Sequence, residues 1–582
     1  MNRDEIFGEV RSLLGRREHD VAWTKQLLDL ARKAKREAPE FHGEQLVPYL
    51  EGQRVDWPEP LLEVHLNDLE DAREALPMAT FELDLRDVLL VGEPEPDYLP
   101  YFDDEPLKVR KNNRVLANVS KLRLDSRLAL QPAIHALLHS PDATALRDFT
   151  IMNHDTHPRS IQHLSEETLG SICDAPSAPD WRHLTIRQSS LFSGLSERLF
   201  SNFPGESLRT LDLSNNYVRQ ASPASTPWLG QLETLVLRAC GIQPEGLEGL
   251  LSKTTFANLK KLALSDNFAS GQGIDALKGE GRFPALRELE LGGCKLGPTE
   301  IDTLLSLDLP SLERLSIDRN ELDADTLARF ITSPFTRHFK GFELSFTNAN
   351  ARAFKPLLAH PNLDIFETLT IALASPARMT PPMHAPRYPP PSSPPKQEDL
   401  ELIKDIVTSI APEQMRTLVL TGLPIAEATA LHIAKMENLE HLDLSNARIT
   451  PETIRALFSK SFPNLTFANF SSIDIDDALI EAFLDGAVMG KLDSLILSRN
   501  RISNRGAELL AAVDKTPMLR TLSLTHNNIG DDGCVAFIES EPFRRTVKSF
   551  DILTNPFENQ TGTRMERELR PHMDVTCFMY IG

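Results

Sequence analysis

The phrase Leu-x-x-Leu-x-Leu-x-x-(Asn or Cys) recurs along this chain, and recurrence at a fixed phase constrains the fold more than any other feature. Its clearest copies are LRTLDLSNN from Leu208, LETLVLRAC from Leu232, LKKLALSDN from Leu259, LRELELGGC from Leu286 and LERLSIDRN from Leu312. A second clear run holds LEHLDLSNA from Leu439, LDSLILSRN from Leu492 and LRTLSLTHN from Leu519. Looser copies start at Val119, Leu146, Trp181, Phe339, Phe366, Met415, Leu465 and Val547, giving sixteen repeats, most of them 24 to 28 residues apart. Leu211 and Leu213 stand two apart, so in a strand both point to one face and Asp212 to the other. A single strand of this kind cannot enclose a core. Each must bury its leucines against the copies before and after it, which predicts a stack whose stability is a sum over neighbours. A chain of 582 residues exceeds what one ordinary core supports, and stacking removes that limit.

The residue that closes the phrase falls where the chain turns inward after the strand: Asn216, Cys240, Asn267, Cys294, Asn320, Asn500, Asn527 and Asn555. A short polar side chain there can satisfy turn backbone groups that water cannot reach, so these positions are expected to form a structural ladder. Cys240 and Cys294 then belong to the ladder rather than to a redox or metal group. Two repeats apart, they would stand about 10 Å from each other, too far for a disulfide. The second half of most repeats reads as helix. TPETIRALFSK spaces Ile454, Leu457 and Phe458 at i, i+3 and i+4, with Thr450 as N-cap and Pro451 as first helical residue. SNRGAELLAAV and DADTLARFI behave likewise. Pro223 and Pro227 leave the Leu208 repeat no room for a helix, which predicts a loop there.

These repeats resemble the leucine-rich-repeat family, and in length they are most similar to its ribonuclease-inhibitor-like branch. The resemblance runs from Val119 to Asn555 and implies an α/β solenoid, a curved horseshoe with parallel strands on the concave side and helices on the convex side. Residues 1–77 carry no repeat. IFGEVRSLL, VAWTKQLLDLARKAKREA and PLLEVHLNDLEDAREAL all read as amphipathic helix, which predicts a small helical domain capping the stack. Within 78–118, FELDLRDVLLV predicts a first strand and GEPEPDYLPYFDDEP an acidic connecting loop. A first array over 119–374, a proline-rich inserted loop at 375–397, a second array over 398–555 and a C-terminal cap at 556–582 complete the expected organisation.

Strand residues that point away from the leucines would face the concave cavity and present a grid to a partner. The candidates are Asp212, Arg238, Asp266, Glu290, Asp318, Arg319, Glu343, Asp443, Arg499, His526 and Asp551, with acids prevailing from Asp212 to Glu343. Binding energy concentrates in a minority of contacts, so only a few of them should matter. Trp228 is either an aromatic anchor or packing beneath the helix-free repeat, and packing is the plainer expectation. The balance of 62 Lys+Arg against 83 Asp+Glu, a net charge of -21, favours a basic protein partner and disfavours nucleic acid or an anionic membrane. The same acidity also serves solubility. No run of 18 apolar residues occurs, the first residues lack a secretory signal pattern, and five cysteines make no disulfide framework. Cytoplasmic residence is the expectation.

Two insertions carry the remaining motifs. PSSPPK, from Pro391 to Lys396, fits the PxxPx+ pattern of polyproline ligands, although a plain spacer is the simpler reading. NHDTHPRSIQH holds His154, His157 and His163, but without paired cysteines a polar surface loop outweighs a zinc site. No phosphate loop, GxSxG, HExxH or paired CxxC is present. Cys577, near His572 and Asp574, reads as a buried tail cysteine before it reads as a nucleophile. The expected function is therefore a non-catalytic protein-binding scaffold or regulator without cofactor. The alternative is a GTPase-activating or other catalytic regulator on the same scaffold, its arginine supplied by Arg159 or Arg387 in the insertions.

Overall fold

A computed structural model describes residues 3–14, 21–52, 62–64, 69–77, 79–85, 90–91, 107–108, 114–126, 131–153, 164–189, 191–219, 226–252, 254–269, 272–320, 322–346, 351–373, 395–486, 490–512, 516–570 and 573–577. The chain divides into two compact units, Met1–Leu286 with Leu307–Ser311, and Arg287–Ser306 with Leu312–Gly582.

The first unit begins with the helices Arg3–Leu14 and Val21–Glu37. Ile6, Val10, Leu13, Leu27, Leu28 and Ala31 are buried between them and their neighbours, and the Trp23 indole donates to the Leu13 carbonyl at 2.8 Å. PLLEVHLNDLEDAREAL is not one helix: Leu62–Val64 is a strand, and among the described residues only Leu69–Ala75 is helical. Leu62–Val64 pairs in parallel with Phe81–Leu85, so the stack starts inside 1–77, and Phe81–Leu85 is its second strand rather than its first. Local periodicity cannot reveal this, because an open strand edge recruits a neighbour through its unpaired backbone groups. Parallel pairing continues through Val119–Asp125, Asp148–Met152, His183–Arg187, Thr210–Asp212, Thr234–Val236 and Lys261–Ala263. A small parallel pair, Leu90–Val91 with Leu107–Lys108, lies beside this run; the acidic loop at 92–106 lies outside the described residues.

Parallel neighbours need a crossover, and here it is helical. Gln131–Leu138, Glu166–Cys173, Ser193–Asn202 and Pro244–Leu251 each join one strand to the next. The Leu208 repeat has only the 3-10 turn Pro227–Gln231 among its described residues. Trp228 packs there, 6.1 Å from the Phe200 ring and 6.0 Å from Phe203.

In the second unit the strands Glu288–Glu290, Arg314–Ser316, Gly341–Phe346, Thr368–Leu373, Thr417–Thr421, His441–Asp443, Phe467–Asn469, Ser494–Ile496, Thr521–Ser523 and Ser549–Asp551 pair in parallel in chain order. Thr368 pairs directly with Thr417, so the sheet passes across the proline-rich insertion without a break. A boundary between two arrays does not fall there, because an insertion that leaves after a strand does not disturb the pairing of the strands on either side. Helix Asn559–Leu569 leads to a last strand, Asp574–Thr576, paired with Ser549–Asp551, so the tail is built as one more repeat. Both units are open stacks of parallel strands alternating with helices, the architecture of a leucine-rich-repeat solenoid. Their cores are the leucine columns: Leu211, Leu213, Leu235, Leu262, Leu442, Leu495 and Leu522 are all fully buried.

Asn267 shows how a repeat closes. Its Nδ2 donates to the carbonyls of Leu237 (2.6 Å) and Leu264 (2.8 Å), while its Oδ1 accepts from the N–H groups of Cys240 (3.1 Å) and Ile242 (3.0 Å). Asn216, Asn320, Asn500, Asn527 and Asn555 make corresponding bonds. Cys240 is buried and in no disulfide, its thiol 3.0 Å from the Leu213 carbonyl, and Cys294 is likewise buried and in no disulfide. The residue preceding the closing position turns left-handed: Asn215, Ala239, Asp266, Gly293, Arg319, Arg499, His526 and Thr554 all have positive φ.

Candidate functional site

That turn relocates part of the expected grid. Asp266 (φ 61°), Arg319 (φ 52°), Arg499 (φ 58°) and His526 (φ 59°) are not strand residues; they sit on the rim where the chain leaves the sheet. The closing asparagine bends the backbone one residue before itself, which ends the strand short of these positions. Asp212, Glu290, Glu343, Asp443 and Asp551 lie on strands as expected, and Arg238 and Asp318 follow two residues after a strand end. His526 is held below the usual imidazole range by partial burial and by the Arg499 charge, with Asp551 opposing.

Three of the aspartates serve the turn itself. Asp212 is 3% exposed, accepts from the Ser214 N–H at 2.9 Å and its hydroxyl at 2.7 Å, and receives the Arg187 Nε at 2.8 Å. Asp443 accepts from the Ser445 N–H at 2.7 Å and from Asn469 at 2.9 Å; Asp551 accepts from the Leu553 N–H at 3.2 Å. Acceptance of an N–H two residues on is the habit of Asp in turns. Sequence reasoning that treats these as free outward charges misses this role, although the Asp-x-Ser spacing in LDLSN carries the signal.

Acids concentrate on the strand face of the second unit. A cleft of about 290 Å³ is lined by Glu288, Glu290, Arg314, Ser316, Glu343 and Glu367 among others. Gly292 leaves the space that Asp318 uses, for an added Cβ would meet the Asp318 carboxylate at 2.0 Å. The Ser316 hydroxyl and Arg319 Nε each donate to Asp318 at 2.7 Å. Glu343 is mostly buried, and burial raises its carboxyl above the usual range; the Ser316 hydrogen bond opposes this, while Glu290, Asp318 and Glu288 push it further up.

A second pattern lies one residue after the leading leucine of each phrase. From the Leu286 repeat to the Leu439 repeat that residue is Arg287, Glu313, Lys340, Glu367, Arg416 and Glu440, alternating in sign; the row ends at the neutral Thr466, and the later Arg520 and Lys548 share a sign. Neighbours pair: Arg287–Glu313 at 4.0 Å, Lys340–Glu313 at 3.5 Å, Lys340–Glu367 at 3.6 Å and Arg416–Glu440 at 2.5 Å. Glu233–Lys260 in the first unit, at 2.6 Å, follows the same rule. Each exposed pair contributes about 0–1 kcal/mol. Charges in this row neutralise one another in pairs, which leaves the acids of the next columns to set the field of the cleft.

The other candidates resolve as follows. Cys577 is buried with its thiol 3.5 Å from the Gly562 carbonyl, and burial with Glu566 nearby pushes it up to about 12, against thiolate formation. His154, His157, His163, Arg159, His572, Arg387 and most of PSSPPK lie outside the described residues. Among the described residues no cluster of His, Cys, Asp and Glu is arranged to hold a metal ion, and no helix is long and apolar enough to cross a membrane.

A family model described as Leucine Rich repeat matches residues 435–458, 491–511 and 516–537, so these segments are leucine-rich repeats. Among solved structures, the chain is similar to one of the yeast Rad7 and Elc1 complex, with 17% identity, 60% of this chain and 81% of that chain covered, and a TM-score of 0.38. It is also similar to an internalin (InlF) from Listeria monocytogenes, with 16% identity, 60% and 84% covered and a TM-score of 0.27. A third is the TLR13–ssRNA13 complex, with 14% identity, 88% of this chain and 61% of that chain covered and a TM-score of 0.34.

Proposed function

We propose that this chain is a non-catalytic protein-binding scaffold whose strand face takes a basic segment of a partner protein. The observation that carries this is the placing of Glu290 and Glu343 two strands apart on one strand face, with Ser316 between them and with Glu288 and Asp318 nearby, which Arg314 and Arg319 already pair. Burial first, and these neighbouring charges after it, hold Glu343 above the usual carboxyl range. Like charges brought together and partly buried oppose folding, and an approaching guanidinium or ammonium relieves them. Glu290 and Glu343 line the seat, Asp318 with Arg319 borders it, and Arg499 and His526 are rim positions of the same unit for further contacts; Asp266 is a rim position of the other unit. Asp212, Asp443 and Asp551 hold turns and contribute charge rather than direct contact. A repeat length of 24 to 28 residues supports the ribonuclease-inhibitor-like branch, and the free buried thiols suit a reducing cytoplasm.

Fluorescence anisotropy with a labelled octa-arginine peptide tests the seat. The Glu290→Gln/Glu343→Gln variant should lose about tenfold in affinity, near 1.4 kcal/mol, with a shallower salt dependence. A Glu437→Gln/Glu508→Gln control, altering net charge equally at exposed positions, should lose little. Equal losses in both variants would mean that only overall charge attracts the peptide, and the proposal would fall.

A further inference from the structure

On the first unit, the rim just beyond the closing residues carries an aromatic patch. Among the described residues the exposed large hydrophobic side chains include three aromatics: Phe192 (44% exposed), Tyr217 (44%) and Phe268 (37%). All three occupy one rim of consecutive repeats. Tyr217 and Phe268 each directly follow a closing asparagine, Asn216 and Asn267. Phe192 bridges in parallel to Tyr217, and their rings stack at 5.8 Å with planes 14° apart.

The repeat between them breaks the aromatic row in an informative way. Where Tyr217 and Phe268 stand, it has Gly241, with φ +62° and no side chain; the Arg219 stem passes 3.9 Å from where a Cβ would be. Arg219 itself is exposed, and no carboxylate among the described residues pairs with it. Its backbone is held firmly, donating to the Cys240 carbonyl and accepting from the Gln243 N–H at 3.1 Å. Helix Pro244–Leu251 also presses against it, for a Cβ on Gly246 would lie 2.3 Å from the Arg219 carbonyl oxygen. The rim thus reads, in order, aromatic pair, cation over a bare floor, aromatic.

Spacing says what fits. Tyr217 and Phe268 are two repeats apart, about 10 Å at the strand spacing of a parallel sheet. A polyproline II segment brings residues i and i+3 to the same side about 9.3 Å apart, and aromatic walls are the usual seat of such segments. We propose that this rim docks a proline-containing acidic segment of a partner protein, with apolar rings at i and i+3 against Tyr217 and Phe268 and a carboxylate between them on Arg219. Charge complementarity selects the occupant. The chain's own stretch from Pro376 to Pro395 contains Arg378 and Arg387 and no acid, so it has the wrong charge for Arg219. This site is independent of the acidic seat on the other unit.

The test uses the full chain and two labelled peptides, Pro-Pro-Glu-Asp-Pro-Pro and Pro-Pro-Lys-Lys-Pro-Pro, with anisotropy as the readout. The acidic peptide should bind about tenfold more tightly than the basic one, and Arg219→Glu should reverse that order. Tyr217→Ser and Phe268→Ser should each weaken binding about fivefold or more in variants that keep the wild-type circular dichroism spectrum. Each ring is more than half covered by its own chain, so their melting temperatures fall somewhat, whereas that of Arg219→Glu, at an exposed position, should not. Equal binding of the two peptides, acidic binding that survives Arg219→Glu, or no binding at millimolar peptide would overturn the proposal. So would oligouridylate binding lost in the same variants without peptide binding, which assigns the rim to nucleic acid. Self-association abolished by Phe268→Ser without peptide binding would assign it to a second copy, and would likewise overturn it.

Discussion

Repeats that close on asparagine and the long-strand repeats at Val119, Gly341 and Thr368 solve the same backbone problem differently. In the first kind, strands such as Thr210–Asp212, Lys261–Ala263, Arg314–Ser316, Ser494–Ile496 and Thr521–Ser523 have three residues each. A left-handed residue then turns the chain, and the asparagine amide satisfies the N–H and C=O groups that the turn removes from the ladder. In the second kind, Gly341–Phe346 and Thr368–Leu373 run to six residues and Val119–Asp125 to seven. There the same groups stay in the sheet, Leu344 opposite Ile371 and Phe346 opposite Leu373. The interior changes to match. Phe342 contacts Phe330 at 5.7 Å, Phe339 at 5.6 Å and Phe366 at 5.6 Å, and a 3-10 helix, Ala351–Ala359, replaces the α-helix of its neighbours. Buried backbone groups must be paired one way or the other. A polar ladder permits a thin strand and an early turn, whereas an aromatic filling accompanies a longer strand.

The contrast can be broken first at its aromatic end. Phe342→Ala should cost about 3–5 kcal/mol in urea unfolding, because three rings lose a common neighbour. A loss below about 1 kcal/mol would mean that the longer strands hold this region without the ring cluster. Asn267→Ala comes next, at about 2–3 kcal/mol, since it strands two N–H groups and two carbonyls away from water. If hydrogen exchange at Cys240 and Ile242 stayed slow in that variant, water or a local shift would be replacing the ladder. Arg499→Gly should stabilise by about 1 kcal/mol, because glycine adopts the left-handed turn without the Cβ penalty. The same change should weaken any partner held by that rim. No gain in melting temperature would show that the turn is not strained.

Glu343→Gln is the smallest expected effect and sharpens the electrostatic side. The folded carboxyl lies above its ordinary value of 4.5, so between the two values the native state binds more protons than the unfolded chain. Stability therefore falls as pH rises through that window. The Gln variant should be the more stable at pH 7, and its advantage should vanish below the ordinary carboxyl range. Parallel stability curves across pH 3 to 8 (about that span suffices) would mean that Glu343 is as comfortable in the fold as in water.

Much of the fold is legible locally. Thr450 and Asp323 cap their helices as their positions demand, accepting from Thr453 at 3.3 Å and Thr326 at 2.7 Å. The closing asparagines bond as their place in the phrase implies. The site is less legible. That Asp212 is committed to Arg187, and that Gly292 clears room for Asp318, depend on neighbours 25 or more residues away. The alternating row from Arg287 to Glu440 is written plainly in the residues, but it is visible only once the repeats are aligned on their leucines.

By itself the chain's order of residues determined the stack, its repeat length, its leucine columns and most of its helices, because period and capping act within a few residues. Only the assembled structure decided that Leu62–Val64 is a strand, that Asp266, Arg319, Arg499 and His526 leave the sheet for the rim, and that Glu343 sits among like charges. Those outcomes come from contacts between repeats, where a side chain's surroundings are supplied by the turns before and after its own.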